Sequence, residues 1–148
     1  MSEQSIEPYI VALQTALSAD PTLSSLITSF GRRLKWWDEV QEQPALFVRH
    51  VHNEYKYDHD NLLNMSVDCE IWIYVKGGAN PDAVPDTVLN QFEQAVRSIF
   101  AVDEGDGRYT LGGLVYWCRL EGRADFKPGD TDPQSVVVLP VKLLLWPD

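Results

Sequence analysis

The sequence predicts a single α+β domain: a mixed or mostly antiparallel sheet of about four to five strands, with about two to three helices packed mainly on one face. Three patterns lead there. Met65, Val67, Cys69, Ile71, Ile73 and Val75 alternate with Ser66, Asp68, Glu70, Trp72, Tyr74 and Lys76, the period of a half-buried strand. Val137, Leu139, Val141, Leu143 and Leu145 alternate with Val136, Val138, Pro140, Leu144 and Trp146, so the closing strand is apolar on both faces. Between them, Val84, Val88, Phe92, Ala95 and Ile99, helped by Leu89, Val96 and Phe100, recur at helical spacing and form a side wide enough to lie on a sheet.

In chain order, Ile6, Ile10, Leu13 and Leu17 give an amphipathic helix of about three turns that ends near Ser18-Ala19. Asp20-Pro21 reads as the N-cap and first position of a short second helix, with Leu23, Leu26, Ile27 and Phe30 inside and Gly31 as its stop. Residues 1–31 are thus a helical lead, and residues 43–146 hold the sheet and its packing helix, within one domain spanning residues 1–148. Arg32, Arg33 and Lys35 make a local basic spot beside Trp36-Trp37, a pair that reads either as a connector tucked against the body or as a contact surface.

Pro44 to Val51 is strand-like, and a Tyr-rich loop follows from Asn53 to Asn64. Gly77-Gly78 ends the Met65 strand, and Asn80-Pro81 and Pro85-Asp86 are alternative starts for a helix running to about Phe100. After Gly112-Gly113 the alternation places Leu114, Tyr116, Cys118 and Leu120 on the core face and Val115, Trp117, Arg119 and Glu121 on the other. Gly122 to Pro133 reads as a polar loop, and the last strand covers Ser135 to Trp146. Its two apolar faces make it central or covered by another subunit, while Pro140 favours an edge.

The net charge of −10 works against a groove that grips nucleic acid, which needs clustered Lys and Arg. No apolar run approaches the length of a membrane span, and the acidic, polar start lacks a secretory pattern, so the expected compartment is a cytoplasm. Cys69 and Cys118 sit on apolar strand faces as small hydrophobes, and a disulfide requires their strands to be neighbours.

The chemistry is sparse. The sequence has no P-loop, dinucleotide glycine fingerprint, nucleophile elbow or metalloprotease His pair, and the reading is a non-enzyme without cofactors. The strand period would put His50 and His52 on one face, with His59 close behind, which makes these three the candidate metal ligands; the plainer reading is a polar strand end. The carboxylates of residues 103–107 lack the spacing of a calcium loop and read as a solvated turn.

The segments QPALFVRH (Gln43 to His50), TLGGLVYWCRLEG (Thr110 to Gly122) and VVVLPVKLLL (Val136 to Leu145), with the long strand leading into a Gly-Pro-punctuated helix, resemble the tail terminator proteins of long-tailed phages. The resemblance covers the chain from Gln43 onward. It implies a virion structural protein at the head–tail junction, assembled in the host cytoplasm. Such a protein forms a ring, typically a hexamer, caps the tail tube, stops its polymerisation and presents the head-joining surface. The implied partners are copies of itself, the tail tube protein and a head-completion or connector protein, with DNA passing through unbound; no membrane is involved. A different head–tail connector or tail-tube protein is the nearest alternative, and a small metal- or ligand-binding domain using His50, His52 and His59 is the alternative from another class.

A head-to-tail ring needs two different patches per subunit. The sequence nominates the aromatic outer face, Trp72, Tyr74, Val115 and Trp117 with Leu144 or Trp146, for one patch and a loop or helix edge for the other, and Trp36 and Trp37 join the list of interface candidates. If the Met65 and Leu114 strands run parallel, Trp72 and Trp117 fall at opposite ends of the sheet.

Overall fold

The alternation from Met65 to Val75 becomes a long strand at the centre of a mixed sheet that has six strands among the described residues, with three described helices on one of its faces. The computed structural model describes residues 5–33, 35, 39–40, 42–76, 85–101, 108–127 and 134–147. The elements are α1 (Glu7–Ala19), α2 (Pro21–Leu26), β1 (Ser29–Gly31), β2 (Ala45–Tyr57), β3 (Leu63–Lys76), α3 (Pro85–Ile99), β4 (Trp117–Leu120), β5 (Asp125–Lys127) and β6 (Gln134–Leu144). Strand order is β1-β2-β3-β6-β4, and β5 pairs β6 beside β4. Among the described residues, only the β1–β2 pair is parallel.

The helical side carries the main core. Ile10, Leu13 and Leu17 of α1, Leu23 of α2, and Leu89, Phe92 and Val96 of α3 pack with Leu46, Val48, Val67, Cys69, Ile71, Ile73, Val137, Leu139, Val141 and Leu143 of the sheet. The Asp20 carboxylate accepts from the Leu23 amide at 2.9 Å and so caps α2, as the Asp-Pro pair predicts. A bidentate ion pair from Arg32 to Glu7, at 2.6 and 3.1 Å, ties the segment after β1 to the start of α1. The hydrogen bond from Arg32 holds the Glu7 carboxyl below its usual range.

Several elements differ from the sequence expectation. α2 ends at Leu26, and Phe30 and Gly31 belong to β1 rather than to a longer helix: Thr28 N bonds Pro44 O at 2.8 Å and sets the short parallel pairing with β2. β2 continues through the segment expected as a Tyr-rich loop, because Asn53, Tyr55 and Tyr57 keep the strand period opposite β3. The reversal is confined to residues 58–62, where the Asp58 carboxylate accepts from the Asp60 and Leu62 amides at 2.9 and 3.0 Å. The buried stripe of α3 centres on Leu89, Phe92 and Val96, leaving Val88 exposed; the helix is described from Pro85, one of the two expected starts, while the other, at Pro81, and the solvated acidic turn expected at 103–107 lie outside the described residues.

The largest correction concerns residues 110–116. Leu111, Gly112 and Gly113 have φ of 51°, 71° and 90°, and Thr110 O accepts from the amides of both Gly113 and Val115. This turn consumes the first half of the expected strand, so β4 begins only at Trp117. Val115 is therefore fully buried in the helix-side core, and Leu114 and Tyr116 are exposed, the reverse of strict alternation from Leu114.

β6 is central, with β3 along one side and β4 and β5 along the other. Pro140 is accommodated by the gap between β4 and β5. Its carbonyl accepts from Glu121 N at 3.3 Å on that side, and in a strand a residue's N–H and C=O point the same way. The missing donor of Pro140 therefore faces the gap and leaves the β3 ladder intact.

Candidate functional site

The sheet face away from the helices is assembled from cross-strand rows. Ala45, Tyr74 and Val136 lie side by side, followed by Phe47, Trp72 and Val138, then Arg49, Glu70 and Pro140. The next rows are His52, Asp68, Lys142 and Arg119, and then Glu54, Ser66, Leu144 and Trp117. The face thus has an apolar end, a charged middle and a second apolar end.

At the first end, Phe47 and Tyr74 meet edge to face at 5.6 Å, and Trp72 and Tyr74 at 6.4 Å. The chain covers part of this end itself: Val40 packs on it, and the Tyr74 hydroxyl donates to Lys35 O at 2.8 Å. Tyr74 is accordingly buried, while Trp72 is half-buried and donates its indole N–H to Glu70 at 3.1 Å. At the second end, the Arg119 guanidinium lies 3.7 Å over the Trp117 ring. Nearby, Tyr116 and Trp146 meet edge to face at 5.1 Å, with Arg108 over both.

Trp72 opposes Val138 on β6 and Trp117 opposes Leu144, so the two tryptophans stand about 20 Å apart along the strand. β3 and β4 are both antiparallel to β6, hence parallel to each other, and the nominated aromatic patch splits in two. Val115 leaves it altogether, being buried on the opposite face by the turn at Gly112-Gly113. Trp117, Leu144 and Trp146 remain together at one end; Trp36 and Trp37 lie outside the described residues.

The charged middle is a network around Lys142. Its ammonium lies 3.4 Å from Glu121, 3.7 Å from Glu54 and 3.8 Å from Asp68. Partial burial works against the ammonium, but Asp68, Glu54 and Glu121 outweigh it and raise its pKa. The hydrogen bond from Arg119, at 2.6 Å, holds the Glu121 carboxyl below its usual range, and Lys142 adds to the effect.

The three histidines do not converge. A β-bulge between His50 and His52 makes His50 oppose Cys69 and His52 oppose Asp68, so the two rings occupy opposite faces. His50 bonds the Asn53 side chain at 2.7 Å. His59 projects from the hairpin turn, 92% exposed, with Asp60 beside it at 3.6 Å. The bulge instead joins His52 to Asp68 and Glu54: Nε2 lies 3.0 Å from Asp68 Oδ2 and 3.9 Å from Glu54 Oε1. Sequence reasoning missed both carboxylates, since nothing in RHVHNEY marks Val51 as an extra residue.

Both thiols are buried and unpaired. Cys69 opposes Val141 and Cys118 opposes Leu143, so β6 runs between them. Burial pushes the Cys69 thiol up to about 12 and raises that of Cys118 further still.

Among the described residues no helix is long and apolar enough to cross a membrane. In comparisons with known proteins, no family model matches the chain, and no curated protein matches it.

Proposed function

We propose that this chain is a tail terminator of a long-tailed phage, a non-enzymatic ring subunit that caps the tail tube and offers the head-joining surface. The observation that carries the reading, beside the segment resemblance, is the open edge of β2. β1 pairs only Ala45 to Phe47, and among the described residues no strand pairs that edge from Val48 to Tyr57. The β2–β3 hairpin also runs past β6, whose ladder with β3 stops at Ser66, and it exposes Tyr55, Tyr57 and Leu62. A long unpaired edge ending in exposed aromatics favours pairing with another chain, and a second copy would cover it.

Head-to-tail closure requires a different patch on the opposite side. The ledge of Tyr116, Trp117, Leu144 and Trp146 beside β4, on the far edge of the sheet, supplies one. The ring then works at the head–tail junction of the virion, between tail tube and connector. The excess of carboxylates suits a lumen through which DNA slides without being held.

The experiment is tube assembly with the tail tube protein of the same phage. Added during polymerisation, the chain should stop tube growth and appear as a ring at the tube end in electron micrographs. Tubes that lengthen as they do without it, with bare ends, would refute the reading.

A further inference from the structure

The geometry points to a second, independent property: His52, Asp68 and Glu54 form a three-donor site for a transition-metal dication of the zinc class on the outer face of the sheet. The donor atoms all lie within 4.8 Å of one another. Nε2 of His52 is 3.0 Å from Asp68 Oδ2 and 3.9 Å from Glu54 Oε1. Tetrahedral ligands at zinc distances stand about 3.3–3.4 Å apart, so the two separations from His52 bracket the required one, and side-chain rotation would bring the two carboxylates, within 4.8 Å of each other, to the same spacing. One imidazole with carboxylates is a donor set that zinc accepts, leaving a fourth position toward solvent.

Two features of the fold support a site rather than a chance meeting. The bulge at Val51 turns the His52 ring onto this face, away from the side taken by His50. Asp68 Oδ2 is enclosed and has no well-aligned hydrogen-bond donor among the described residues, while the His52 ring nitrogen stands 3.0 Å away, so the oxygen is open to a cation shared with that ring.

Lys142 is compatible with this arrangement. Its ammonium contacts Asp68 Oδ1 and Glu54 Oε2, the far oxygens, and leaves Oδ2 and Oε1 turned toward His52. Ligating carboxylates are commonly steadied by such partners on their other oxygen.

The test is calorimetric titration of the full chain with zinc sulfate in a non-chelating buffer at neutral pH, with each variant checked by circular dichroism. The expected result is about one ion per chain, weakened at least tenfold by His52→Ala or Asp68→Asn and changed less than about twofold by His50→Ala or His59→Ala. The His52 side chain is 56% exposed, so its replacement leaves the core alone. Absence of zinc uptake by the unmodified chain, equal uptake by His52→Ala, or loss of uptake in His59→Ala would overturn the proposal. None of these outcomes bears on ring assembly.

Discussion

Gly122 packs its backbone against Pro140: a side-chain carbon at position 122 would sit 3.3 Å from both Cβ and Cγ of the proline, and the glycine has φ of 123°. This pairing fills the gap between β4 and β5. It lets a proline sit in the middle of a central strand, because the chain opposite bends away where the amide donor is missing. Gly122→Ala combines a tight contact with a backbone region that L-residues avoid, and should cost about 1–3 kcal/mol. Urea unfolding checks it: the midpoint should fall with an unchanged slope, and a midpoint equal to that of the unmodified chain would refute this account of the break.

Leu114 and Val115 make a paired test of the turn at Gly112-Gly113. Val115 is fully buried and Leu114 is 40% exposed, so Val115→Asp should prevent folding by burying an unpaired carboxylate. Val115→Ala should cost about 1.5–3 kcal/mol, whereas Leu114→Asp should leave the unfolding midpoint within about 0.5 kcal/mol of the parent. The opposite ranking would restore a strand beginning at Leu114.

The thiols give a pH dependence with a definite sign. Burial raises both folded pKa values above the ordinary 9.0, to about 12 for Cys69. The unfolded chain therefore loses these protons first, and the stability from keeping the thiols neutral is complete below pH 9.0 and falls away as pH rises toward about 12. Unfolding free energies from pH 8 to about 11 should decline less steeply in a Cys69→Ala, Cys118→Ala double variant. Native protein should also resist Ellman's reagent until it unfolds, and rapid labelling of either thiol in folded protein would contradict the burial.

Much of this fold was legible because single strands with one dominant face announce themselves. Met65 to Val75 could be assigned by period alone, as could the buried faces of α1 and β6. What failed was where one residue changes parity. Val51 is a single inserted residue that sends His50 and His52 to opposite faces, and its own side chain, exposed and apolar, looks like ordinary strand. The glycines at 112 and 113 were visible as a turn, but how far the turn extended was not. A shift of one residue moved Val115 into the core. The His52, Asp68 and Glu54 cluster was illegible for a further reason: it depends on register between strands, which neither strand encodes by itself.

Mass measurement in native buffer, over a range of concentrations up to the solubility limit, bears most directly on the central claim of a ring subunit. The chain should assemble into a closed ring, a hexamer as the resemblance implies. The double variant Tyr55→Glu, Tyr57→Glu, at the exposed end of β2, should stay folded and monomeric. An unmodified chain that remains monomeric at every concentration, or a ring that the β2 variant leaves intact, would contradict the account.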